Sequence, residues 1–179
     1  MIKIFGDKKI KIRKLVLSDL KRAKEFQKYV NSLIEEDAPI LMNRKLSLKR
    51  EKEFLSGMLK EIKEGKRTTL LLEHNNKIIG LSSVALERWK SDHVGRFNIS
   101  IKNGYRGLGL GRYLMEEVIK LAKNKLASRL KIIKLEVFCD NQPAIKLYKK
   151  LGFKQVAKIP KQLRCRGKLI DELVMLLYL

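Results

Sequence analysis

The sequence predicts an α/β fold built on a mixed sheet, and three observations predict it. The hydrophobic period changes from helical to alternating near residue 67. Two alternating runs flank His74-Asn75-Asn76-Lys77, a turn in which asparagine tolerates positive φ. Four of the eleven glycines then fall within Gly104–Gly111, between a strand pattern and an amphipathic helix pattern.

The elements follow in order. Ile10, Ile12, Leu15 and Leu17 alternate with cations in a first strand near 8–16. Ser18 reads as an N-cap, and Leu20, Ala23, Phe26, Tyr29, Val30 and Leu33 recur behind it at helical spacing. That helix stops before Pro39, because proline disfavours helix in the residue preceding it. A second helix, about 47–64, carries Phe54, Leu55, Met58, Leu59 and Ile62 on one face and ends at Gly65. Strands follow at 68–73, 77–86 and 93–101, with Trp89 in the loop before the last. A helix spans about 109–128, and the strand at 132–138 is apolar enough to be central. Pro143 opens a short helix that Gly152 ends. Strands near 154–159 and 169–178 flank an Arg-Cys-Arg-Gly-Lys connection. The order β-α-α-β-β-β-α-β-α-β-β reads as one domain, 1–179.

Composition excludes several classes. No apolar run approaches the roughly 18 residues of a membrane span. The N-terminus lacks a signal peptide's apolar core, which fits a cytoplasmic protein. Two cysteines, Cys139 and Cys165, and two histidines, His74 and His93, have no metal-ligand spacing, so no metal is expected. The net charge of +22 raises nucleic-acid binding as an alternative. The cations are spread over nearly every segment, which favours a solvated lysine-rich surface.

The glycine stretch carries chemistry. A strand entering a glycine-rich turn that opens a helix directs bare N–H groups and the positive end of the helix dipole at one spot. Such a turn binds phosphate through backbone alone. Gly107, Gly109 and Gly111 allow close approach, with Leu108 and Leu110 between them, and Arg106 and Arg112 add cationic donors.

The turn Arg106-x-x-Gly109-x-Gly111 resembles the R/Q-x-x-G-x-G/A signature of the GNAT N-acetyltransferases. A second block, Leu135-Glu136-Val137, Asn141, Ala144-Ile145, Leu147-Tyr148 and Leu151-Gly152-Phe153, is similar to that family's L-E-V…N…A-I-x-L-Y-x-x-x-G-F segment. The resemblance covers about 68–179; before that only the element order agrees. It implies a mostly antiparallel sheet of about six or seven strands, splayed between those at 93–101 and 132–138, with about four helices. It also implies acetyl-CoA as cosubstrate and a primary amine as acceptor. The pantetheine arm would pair with backbone of Asn98, Ile99, Ser100 and Ile101, and the pyrophosphate would sit on the turn.

The resemblance also suggests roles. Tyr148 holds the position of the tyrosine that protonates the departing thiolate; a phenol of pKa about 10 suits that task. The other reading is an aromatic packed on the sheet. Glu136, twelve residues earlier, matches the proposed base of relatives acting on ribosomal-protein N-termini, or is a strand glutamate bound to neighbouring cations. Asn141 and Ala144 occupy CoA-contact positions, and Asn141 also fits a helix cap. Glu35, Glu36 and Asp37 stand where the family's acceptor site borders the helices and offer carboxylates to a cationic amine, against a solvated loop. Trp89 either walls that site or packs in its loop.

The acceptor is less defined. An α-amine has a pKa about 2.6 units below that of lysine, so neutralising lysine at pH 7 costs roughly 3.5 kcal/mol more. The +22 charge repels free polyamines, so a protein or peptide amine, or a small neutral amine, is favoured over a polyamine. A CoA-sensing module without catalysis is a further alternative. Lys158, Lys161, Arg164, Arg166 and Lys168 suit an acidic partner or a solvated hairpin. Monomer and homodimer both stay open.

Overall fold

A computed structural model describes residues 1–165 and 167–179. Twelve regular elements and two 3-10 turns follow the order β1 (Ile2–Phe5), β2 (Lys8–Lys14), α1 (Ala23–Glu35), α2 (Leu48–Lys63), β3 (Arg67–His74), β4 (Lys77–Leu86), β5 (Val94–Ile101), α3 (Leu110–Lys125), β6 (Ile132–Phe138), α4 (Gln142–Lys150), β7 (Lys154–Cys165) and β8 (Lys168–Tyr178). The strands hydrogen-bond in the order β1-β2-β3-β4-β5-β6-β8-β7. Eight strands therefore stand where six or seven were expected. The additional one is β1, which pairs antiparallel with β2 through Ile2–Phe5 and Lys8–Lys11. Its side chains are mostly exposed, so no hydrophobic alternation advertises it.

The chain groups into two compact units, residues 1–85 with 98–126, and residues 86–97 with 127–179. In the first, β2, β3 and β4 run antiparallel. Helix α1 buries Ala23, Phe26, Tyr29 and Leu33, the face its 3.6-residue period marks out. Those residues join Leu15, Leu55, Leu59, Leu71 and Ile78 in one core cluster. The α2 N-cap is Ser47, whose side chain accepts from the Arg50 amide. In the second unit, the start of β5 pairs parallel with β6 over only Val94–Arg96 and Ile132–Lys134. Strand β6 pairs antiparallel with β8 along all seven of its residues.

Three expectations need correction. Ser18 is not an N-cap. Residues Leu17–Arg22 form a 3-10 turn, and the Asp19 carboxylate accepts from the Val16 amide at 2.9 Å. Asp19 takes that role because Arg13 already holds it in place. Leu17, counted in the first strand, lies beyond its end and is 72% exposed. Strand β7 also extends past residue 159, through register shifts near Ala157 and between Ile159 and Leu163. Arg166 lies outside the described residues. Among the described residues, no helix is long and apolar enough to cross a membrane, and no group of His, Cys, Asp or Glu is placed to hold a metal.

Glu51, on α2, is 3% exposed, and its Oε2 has no hydrogen-bond partner. Burial pushes its carboxyl up to about 7. A raised acid stabilises the fold below the unfolded value near 4.5 and loses that contribution as pH rises through 7. Glu51→Gln is therefore expected to stabilise the protein by about 2 kcal/mol at pH 8 and to have little effect at pH 4. Urea unfolding at both pH values tests this; equal effects at both would contradict it.

Candidate functional site

In the first unit, β5 enters the glycine turn. The amides of residues 103–105 are spoken for. Asn103 donates to the Glu36 carboxylate (3.1 Å), Gly104 to Asn103 Oδ1 (2.9 Å) and Tyr105 to the Lys102 carbonyl (3.2 Å). The amides of Arg106, Gly107, Gly109, Leu110, Gly111 and Arg112 donate to no protein acceptor among the described residues. The first bond of α3 runs from Tyr113 to the Gly109 carbonyl. Gly107 and Gly109 have φ of +78° and +82°, and a Cβ built on either meets nothing within 4 Å. Positive φ requires glycine there, and the bare backbone faces open space. A row of unpaired amides at a helix N-terminus fits the diphosphate of a nucleotide-linked donor.

The strand leading into this turn is tied down. Asn98, Ile99, Ser100 and Ile101 form the second half of β5. The Asn98 carbonyl accepts from Ser82 Oγ (2.9 Å), Ser100 from the Tyr29 hydroxyl (3.0 Å) and Ile101 from Arg106 Nε (2.7 Å). Gly80 permits this approach, because a Cβ there would stand 3.2 Å from the Ser100 carbonyl oxygen. Arg106 also pairs with the Glu36 carboxylate. Arg112 pairs with Glu116 at 2.9 Å and is largely exposed. Leu108 is half-buried and Leu110 buried. Of the three candidate acceptor carboxylates, Glu35 pairs with Lys45 (2.7 Å) and Glu36 is engaged at the turn. Asp37, next in the chain, has φ of +50°.

In the second unit, Tyr148 lies on α4 with its ring against Phe97 and Phe153, centroids 6.3 and 6.1 Å apart. Burial pushes its phenol up to about 12. Its hydroxyl makes no hydrogen bond to the described residues. Asn141 caps α4, its side chain accepting from the Ala144 amide at 3.4 Å. The strand alternation places Lys134 and Glu136 on one face of β6, and they pair at 3.1 Å. Glu172, opposite Phe138 on β8, shares that face. Burial first, and the charge of Glu136 second, raise the Glu172 carboxyl. Trp89 is 88% exposed with φ of +54°. The Cys139 amide donates to the Asp171 carbonyl.

The structure thus joins Arg106 to Glu36 and Asn141 to Ala144. Among the described residues, no hydrogen bond, ion pair or ring contact links Glu136 to Tyr148, or Trp89 to another candidate. Tyr29, Glu172 and the pairing of residues 36 and 106 were not found from the sequence. Glu172 did carry a signal, an acid within the apolar run Leu169–Leu177, the same signal that marked Glu136. The 36–106 pairing has no local signal at all.

Comparison with known proteins agrees with this geometry. The profile of the acetyltransferase (GNAT) family matches residues 30–153. The L-amino acid N-acetyltransferase AaaT of Escherichia coli is 36% identical over 85 residues, covering 48% of this chain and 51% of that protein. The chain thus matches about half the length of that relative. The N-alpha-acetyltransferase of Sulfurisphaera tokodaii is 28% identical over 149 residues, 78% of this chain and 86% of the other. A solved acetyltransferase of the GNAT family from Streptococcus pneumoniae has a TM-score of 0.82 at 27% identity, covering 95% of this chain and 99% of that one. The matched segment contains both the glycine turn and the Tyr148 helix, and the chain belongs to the GNAT acetyltransferase family.

Proposed function

We propose that this protein is an acetyl-CoA-dependent N-acetyltransferase that moves the acetyl group directly onto an α-amine of a protein, a peptide or a small molecule. The observation that carries the reading is the set of unpaired amides at Arg106, Gly107 and Gly109–Arg112, at a turn whose positive-φ glycines expose bare backbone. That backbone binds the diphosphate, and Arg112 supplies further positive charge. When bound, acetyl-CoA supplies an acetyl group activated as a thioester. Tyr148 gives its phenolic proton to the departing sulfur. Its hydroxyl has no competing protein partner, and burial keeps it protonated. Glu136, the carboxylate on β6, takes a proton from the amine.

The α-amine preference rests on two supports. An α-amine is neutralised at a cost roughly 3.5 kcal/mol lower than lysine, which suits a single carboxylate base. Two relatives are named for acetylation of L-amino acids and of N-alpha groups. The +22 charge favours the anionic donor and disfavours polyamines as acceptors.

A panel of N-terminal peptides, lysine peptides, amino acids and polyamines, followed by thiol release, tests the reading. Turnover is expected with α-amines. No turnover with any amine, together with no CoA affinity by calorimetry, would overturn it. Gly109→Val forces a side chain into positive φ and is expected to weaken CoA binding about tenfold or more; unchanged affinity would remove the turn from the donor site. Tyr148→Phe keeps the ring packing and is expected to lower kcat about 100-fold with CoA affinity unchanged. A phenol at about 12 keeps its proton across the assay range, so Tyr148 contributes no basic limb to the kcat profile between pH 7 and 10. A limb near pH 9 that vanishes in Tyr148→Phe would contradict a buried donor.

A further inference from the structure

Helix α1 ends in acid. Glu35 is its last residue, Glu36 its C-cap, and its last turn has no basic side chain. The C-terminal end of a helix is the unfavourable end for anions, so local electrostatics gives no reason for a carboxylate there. The reason lies in a residue seventy positions along the chain. One oxygen of Glu36 pairs with the Arg106 guanidinium, and the other accepts the Asn103 amide at 3.1 Å. Arg106 in turn donates through Nε to the Ile101 carbonyl at 2.7 Å. A single carboxylate therefore closes a ring that runs from Ile101 through Asn103 to Arg106, the segment in which strand becomes turn. About two helical turns earlier, the Tyr29 hydroxyl bonds both the carbonyl and the Oγ of Ser100, at 3.0 and 2.8 Å. Helix α1 thus grips the donor turn's entrance at two points.

We infer that Glu36 is a positioning residue of the donor site. It clamps Arg106 and the Asn103 amide so that the free amides after Arg106 stay aimed outward, ready for a diphosphate. The inference rests on the acetyl-CoA reading of the turn. In this role Glu36 acts through Arg106 and the Asn103 amide. It satisfies the first amide of the turn internally and leaves the later ones unpaired. It also neutralises part of the Arg106 charge, so its effect is conformational, opposite in sign to simple anion repulsion. A carboxylate near a diphosphate site would by charge alone weaken binding; a clamp strengthens it.

That opposition makes the test decisive. CoA affinity by calorimetry, and the acetyl-CoA KM and kcat, would be measured for the full chain and for Glu36→Gln and Glu36→Ala. Glutamine still offers an oxygen to the Asn103 amide but loses the ion pair; alanine loses both. The expected result is a graded weakening, about threefold for Gln and about tenfold for Ala, in Kd and KM, with kcat within twofold. Unchanged affinity, or tighter binding after the charge is removed, overturns the inference. A variant that fails to fold is bypassed by a cycle with Arg106→Gln. The Glu36→Gln effect should largely vanish in that background, and full additivity would also overturn the clamp. If the unaltered protein binds no CoA, the donor reading itself has failed, a distinct outcome from a wild-type affinity that the variants leave intact.

Discussion

The carboxylate of Glu73 is buried on β3, and it holds the first third of the molecule in register. Arg13 of β2 donates to it through Nε and Nη2, each at 2.9 Å, and reaches Asp19 through Nη1 and Nη2 at 2.8 and 2.7 Å. Arg22, at the foot of α1, pairs with the same Glu73 and with Glu25. Burial alone would raise the Glu73 carboxyl, but the two guanidinium groups outweigh it and hold it at about 2. Such a cluster adds little net stability over an apolar substitute, yet losing one member leaves a buried charge uncompensated, at about 3–5 kcal/mol. Its value is geometric. Planar bidentate pairs admit one arrangement, and that arrangement sets where the chain leaves β2 and how α1 starts.

The glycine turn inherits that starting angle. With the foot of α1 fixed by Arg22, its second turn presents Tyr29 to Ser100 and its end presents Glu36 to Arg106 and Asn103. Burial pushes the Tyr29 phenol well above its usual range, so the hydroxyl acts as a lasting donor to β5 and not as an acid. Gly80 contributes by what it lacks, since a Cβ would stand 2.9 Å from Leu72 Cδ1 as well as crowding the Ser100 carbonyl. The turn is therefore rigid up to residue 105 through protein partners and bare after it. An anion-binding backbone needs both properties, order without self-satisfaction.

Local signals made most of the fold legible. The strands at 77–86 and 132–138 follow directly from alternation between turn residues, and Ser47, Gly65, Pro143 and Gly152 mark helix ends by their backbone chemistry. The glycine turn was legible because positive φ and bare amides are written in single residues. What stayed hidden depends on distance in sequence. No periodicity reveals that residue 36 meets residue 106, or that Asp19 rather than Ser18 caps the first turn, since Arg13 decides that competition through space. The β1 hairpin stayed hidden for a different reason. Its side chains face solvent, so backbone pairing with β2 holds it without a hydrophobic face to read.

The titratable groups of β6, β8 and α4 differ in what surrounds them. Glu136 and Glu172 share one face of the β6–β8 ladder, and two carboxylates so placed resist joint ionisation. Lys134 pairs with Glu136 at 3.1 Å, while Glu172 is buried and pushed toward its neutral form. On α4 burial acts on a phenol, and there it favours the protonated form. Desolvation favours the protonated form of both Glu172 and Tyr148, and at Glu172 the charge of Lys134 opposes it. Lys134 thus serves two carboxylates on one face of the ladder, while the phenol on α4 has burial alone acting on it.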